Sequence, residues 1–175
     1  LIDDNRSFLW RSKVETNSDY KQIIPYLVFN FEGKFFLMQR KSSASEQRLK
    51  NLYSLGIGGH IREADLVGCN IVDWANREFS EEINYSGNMK IHPIGLVNDE
   101  SNLVGQVHTG FVFLICGDSD KISIRSELKS GQLFSLDECK KVQDSMETWS
   151  KYVFDFLLSS QDSLTQGLSV INSIS

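Results

Sequence analysis

The chain's 175 residues, 41% hydrophobic and 23% charged, suffice for one globular domain with its own core. A formal net charge of -5 lacks the basic surplus of a general nucleic-acid binder, and no apolar run reaches the ~18 residues needed to cross a membrane. Cys69, Cys116 and Cys139 form no CxxC pair, which argues against a zinc site and a disulfide framework and fits a reducing, cytoplasmic setting.

Residues 1–22 read as a polar arm anchored by Phe8, Leu9 and Trp10, a segment suited to a homodimer contact or to covering the core. The apolar, β-branched run 23–31 predicts a buried strand, Glu32-Gly33 a turn and 34–40 a second strand, together a hairpin. A basic loop follows, with Arg40, Lys41, Arg48 and Lys50 either solvated or facing phosphate. Residues 53–59 read as part strand and part turn, and 60–69 as a loop.

Apolar residues at helical spacing (Ile71, Trp74, Ala75, Phe79, Ile83) predict a helix over 70–84, ended by Asn84 to Asn88 with Gly87. Strands are predicted at 91–97, 107–116 and 133–135, with the second central in the sheet. Ser135 and Glu138 form a capping-box pattern that opens a helix running to about residue 158, its apolar stripe Val142, Met146, Trp149, Val153, Phe156 and Leu157. The result is an arm over 1–22, an α/β/α sandwich with a mixed sheet over 23–158, and a serine-rich tail over 159–175.

The chemistry concentrates in Arg77-Glu78-Phe79-Ser80-Glu81-Glu82. On a helix Glu78, Glu81 and Glu82 stand at i, i+3 and i+4 and project from one face. Like charges at that spacing cost roughly 0.2–0.5 kcal/mol per pair, so the pattern calls for a cation. Oxygen ligands suit Mg2+, with Mn2+ an alternative, and such ions commonly bridge to a substrate phosphate. A solvated acidic face is the simpler alternative, but residues 71–85 contain no Lys to interleave with the acids.

Gly59 followed by Arg77-Glu78-Phe79-Ser80-Glu81-Glu82 and Tyr85 resembles the Nudix box, GX5EX7REUXEEXGU with U bulky and apolar. The segments 48–61, 95–102 and 107–110 are similar to a subgroup of Nudix phosphoesterases, so the resemblance covers roughly residues 23–158. Three departures stand out. The first box acid is Asp65, eleven residues separate it from Arg77 where the family has seven, and Asn84 replaces a glycine.

The resemblance implies a sandwich fold with the box as loop-helix-loop. It implies metal binding by Gly58, Glu78, Glu81 and Glu82, with Glu78 as ligand or general base and Arg77 orienting a catalytic carboxylate through Glu81. Arg40, His60 and Glu100 are candidate substrate contacts; His60 and His108 also read as hydrogen-bonded structural residues, and Asp99-Glu100 as an Asx-type turn. The implied reaction is Mg2+-dependent hydrolysis of a nucleoside diphosphate linked to another moiety, in which carboxylate-held Mg2+ lowers the pKa of a bound water. A nucleotide-binding or regulatory module and an isoprenyl-diphosphate isomerase are the alternatives, since fold does not fix chemistry.

Overall fold

Glu32 and Gly33 turn the chain with φ of 48° and 76°, the paired positive values of a two-residue type I′ hairpin. They join β1 (Gln22–Phe31) to β2 (Lys34–Arg40), with Phe31 opposite Lys34. The computed structural model describes residues 6–40, 52–66, 71–125 and 129–160. Short strands β3 (Tyr53–Ser54) and β4 (Gly56–Gly58) follow, then helix α2 (Ile71–Glu82), β5 (Ile83–Tyr85), β6 (Met89–Asn98), β7 (His108–Gly117), β8 (Ile122–Ile124) and β9 (Lys129–Ser135). A single helical turn, α1 (Arg11–Val14), precedes β1, and α3 (Leu136–Lys141) and α4 (Thr148–Ser159) close the domain.

The main sheet runs β3-β2-β1-β7-β6, with β4 beside β1 and β9 beside β2. β1 and β7 pair in parallel from Gln22 opposite His108 to Asn30 opposite Cys116, and the other pairs are antiparallel. β1 is buried from Ile24 to Asn30, as a strand covered on both faces must be. β6 lies at the edge, where the missing N–H of Pro93 is tolerated and a register shift separates Pro93 from Gly95.

Alternation along the strands divides the core in two. Leu27, Phe29, Phe36, Phe113 and Ile115 pack under Ala75, Phe79 and Ile83 on one face. Tyr26, Val28, Phe35, Val112 and Leu114 pack under Cys139, Val153, Phe154 and Leu157 on the other. The expected α/β/α sandwich is therefore present. Among the described residues no helix is long and apolar enough to cross a membrane.

Three expectations need correction. The box helix ends at Glu82, and Asn84 lies extended in β5 opposite Ser123 rather than terminating the helix. The Arg125 backbone N–H donates to the Glu82 carbonyl at 2.9 Å and its Nε to the Ile83 carbonyl at 3.1 Å, so a distant residue satisfies the helix end. The last strand begins at Lys129 and pairs along its length with β2.

The helix predicted over 136–158 is broken. Its capping box forms as expected, with Glu138 N–H donating to Ser135 Oγ at 3.3 Å and Ser135 N–H to Glu138 Oε2 at 2.8 Å. Past α3, however, Met146 bridges to Tyr53 and Glu147 N–H donates to the Tyr53 carbonyl at 3.0 Å. Glu147 Oε1 also accepts from Tyr26 Oη at 2.9 Å and Ser54 Oγ at 2.7 Å. Sheet partners thus replace helical ones, the stripe changes phase, and Phe154 is buried whereas Phe156 is 45% exposed. In the arm, Phe8, Leu9 and Trp10 are exposed and do not cover the core.

Candidate active site

Helix α2 buries Trp74, Ala75 and Phe79, which turns Arg77 and Glu78 toward the segment 58–65. Gly58 ends β4 opposite Tyr26, so the pairing with β1 fixes the turn that follows. The Glu78 carboxylate lies over Gly59, in the space a Cβ at that position would occupy; its Oε2 would stand 2.8 Å from such an atom. Glycine is required here by close approach, not by an unusual φ.

Arg77 is the hub of the acidic face. Its guanidinium donates through one nitrogen to Glu81 Oε1 at 2.6 Å and through the other to Asp65 Oδ2 at 2.9 Å, with Glu78 Oε2 at 3.4 Å from the latter. Asp65 Oδ2 also accepts the Arg62 N–H at 2.7 Å. The shorter acid therefore reaches the arginine; residues 67–70, within the longer spacing, lie outside the described residues.

Electrostatics set Glu78 apart. Burial pushes its carboxyl above the ordinary glutamate value, Arg77 opposes this, and the charges of Glu81 and Glu82 add to the rise. Burial alone would lower the Arg77 pKa, but the Glu81 hydrogen bond and the charges of Asp65, Glu81 and Glu78 raise it. Glu78 is thus a buried carboxyl beside a fixed cation. Glu78, Glu81 and Glu82 offer oxygen only, the donor set that hard divalent cations prefer.

The three sequence candidates for substrate contact come from elements other than this helix. Arg40 closes β2 opposite Lys129, its side chain outside the described residues, as are Lys41, Arg48 and Lys50. Glu100 follows β6 and pairs with Lys21 Nζ at 2.7 Å, while Lys21 also donates to the Gly105 carbonyl at 2.7 Å. His60 faces His108, Nε2 to Nε2 at 3.3 Å. Burial, then the charges of Arg11 and His108, hold His60 below the usual imidazole value.

Asp65 is absent from the sequence candidates for metal or substrate contact, although its place as the first box acid, with five residues between it and Gly59, marks it out. Glu15 and Lys21, from the arm and its junction with β1, carried no such signal, because only the fold brings them to this end of the sheet.

No protein-family model matches the chain. It is 32% identical over 161 residues to Protein YmaB of Bacillus subtilis (strain 168), spanning 84% of this chain and 76% of that protein. The crystal structure of Tm1382, assigned as a Nudix hydrolase, superposes with a TM-score of 0.76 at 32% identity over 90% of this chain and 81% of its own. The Nudix domain of Shewanella oneidensis NrtR, in complex with ADP ribose, shares the fold with a TM-score of 0.61 at 13% identity, over 93% and 96% of the two chains. With the box helix, its glycine turn and the sandwich all present, the chain belongs to the Nudix hydrolase family and is an enzyme of the Nudix pyrophosphohydrolase type.

Proposed function

We propose that this enzyme hydrolyses the pyrophosphate bond of a nucleoside diphosphate linked to another moiety, with Glu78, Glu81 and Glu82 holding Mg2+ or Mn2+ beside Gly58. The observation that carries the reading is the Glu78 carboxylate, buried over Gly59 and flanked by Arg77 and Glu81. The three glutamates suit a hard cation by donor type, all offering carboxylate oxygens from one helix. When bound, such a cation neutralises diphosphate charge and acidifies a coordinated water.

The protein's own groups divide the remaining work. Glu78, with its raised pKa, accepts a proton from the attacking water. Arg77 holds Glu81 and Asp65 in place, which fixes the helix against the 58–65 segment and keeps Glu78 oriented. Arg40, His60 and Glu100 are the proposed substrate contacts; Glu100 is paired with Lys21 and His60 with His108. Because the NrtR domain was solved with ADP ribose, nucleoside diphosphates carrying a sugar are the first substrates to screen.

The isomerase alternative is disfavoured by the described cysteines. Cys139 is the buried residue of α3 itself, with its thiol pushed up by burial to about 11. Cys116 lies opposite Asn30, at the far end of β1 from the Tyr26–Gly58 pair.

The decisive variant is Glu82→Gln. It removes one ligand charge, and kcat on the best substrate should fall by roughly 10²-fold or more while Tm stays nearly unchanged. Unaltered turnover would sink the assignment. Tight binding of the screened diphosphates by wild-type protein, without product release, would instead mark a binding module.

A further inference from the structure

Glu15, His60 and His108 each present one ligand atom to a common space, with these atoms all within 4.8 Å of one another. They come from three separate places: the residue that caps α1, the residue after Gly59, and the first residue of β7. Strand pairing brings the two histidines together. Gln22 on β1 lies opposite His108, and Tyr26 on the same strand lies opposite Gly58, two residues before His60.

The tautomer of His108 follows from its partner. Its Nδ1 is 2.7 Å from the Val104 carbonyl, which can only accept, so Nδ1 carries the hydrogen and, in the neutral ring that binds a metal, Nε2 presents a lone pair. That lone pair faces His60 Nε2 at 3.3 Å. Two imidazole nitrogens on one tetrahedral cation, each at about 2.0–2.1 Å, stand about 3.3 Å apart. A buried histidine whose second nitrogen is fixed by a backbone carbonyl is also how proteins orient an imidazole for a metal. Glu15 is held from the side by Arg11, whose Nε donates to Oε2 at 2.8 Å, while the other carboxylate oxygen keeps its lone pairs.

We propose that Glu15, His60 and His108 form a second cation site, built without any box carboxylate, for a zinc-class ion with one coordination position left to water. The donor types separate the two sites: imidazole suits zinc and its first-row neighbours, whereas an all-oxygen set suits Mg2+. A bound ion would fasten the N-terminal arm to the turn that carries Gly58 and Gly59, coupling the arm to the box. The site does not depend on which diphosphate is cleaved.

The test uses the full chain, stripped of metal by chelation and then held in saturating Mg2+. Zn2+ is titrated in competition with a chromophoric chelator, and Co2+ is titrated in parallel with visible absorption as readout. Wild type should bind one equivalent of Zn2+ and give an intense tetrahedral Co2+ band. Glu15→Gln, His60→Gln and His108→Gln should each weaken binding at least about tenfold. Glu15 is exposed, so its variant reads the site even if His108→Gln misfolds. Glu82→Gln should leave zinc affinity unchanged. The proposal is overturned if wild type binds no zinc, if Glu15→Gln and His60→Gln bind as wild type does, or if only Glu82→Gln loses binding; the 3.3 Å contact is then simply a hydrogen bond between two histidines.

Discussion

At Gly59 the requirement is for the absence of a side chain. Any Cβ there would meet the Glu78 carboxylate, the flexible end of a long side chain, so the carboxylate would move rather than the backbone. Gly59→Ala is expected to leave Tm within a few degrees of wild type while kcat falls on the order of 10²-fold, the usual cost of a misplacement of about 1 Å. Steady-state kinetics beside a thermal melt separates the two effects, and wild-type kcat would show that Glu78 need not sit over Gly59. Arg77 teaches a related lesson. Its helical partner Glu81 is readable from the i, i+4 spacing, whereas its contact with Asp65 crosses from helix to loop.

Elements carry their own predictions. The hairpin turn puts Glu32 at φ 48°, a region where a side chain that is neither Gly nor Asn is strained. Glu32→Asn should raise stability by roughly 0.5–1 kcal/mol in urea denaturation, and an unchanged midpoint would mean the turn holds no strain.

The loop after β6 depends on Asp99, which is 3% exposed and accepts from Ser101 N–H at 2.9 Å and Asn102 Nδ2 at 2.6 Å. Burial would raise its pKa, but hydrogen bonds from Ser101, Asn102 and Thr148 win and hold it below the usual carboxylate value. A depressed carboxyl stabilises the fold above the unfolded value of about 3.9, and that contribution is lost as pH falls through the folded value. Asp99→Asn should therefore cost about 1–3 kcal/mol at neutral pH and flatten the acid limb below pH ~4, measured as urea midpoints across pH. A parallel acid limb in the variant would exclude Asp99 from that titration.

Both turns were legible as turns because their residue types act locally. The sign of φ at Glu32, and the burial of Asp99 beside an exposed Glu100, were not, since both depend on what the flanking strands impose. The long helix expected over 136–158 failed for the same kind of reason: an apolar stripe at helical spacing does not reveal that Tyr53 will bond to Glu147 in mid-run.

At the scale of the whole molecule, β1 and β7 are shared by both halves of the core, so neither helix layer can unfold alone. Trp74 reports one face, buried in α2, and Trp149 the other, packed against the opposite cluster. Variants retaining only one of these tryptophans should show urea fluorescence transitions with coincident midpoints once each variant's stability is matched by circular dichroism. Transitions that separate from the circular dichroism curve would show two independently unfolding layers.

The sequence by itself determined the β1–β2 hairpin, the central strand β7, the capping box at Ser135 and the acidic face of α2, because each rests on interactions between residues at most a few positions apart. Only the tertiary structure decided that Asp65 reaches Arg77, that Arg125 satisfies the end of the box helix, and that Glu15 meets His60 and His108. Those contacts span 12 residues in the first case and 42 in the second, and the two histidines lie 48 residues apart. They are set by strand register and by the packing of helix on sheet, which no local pattern encodes.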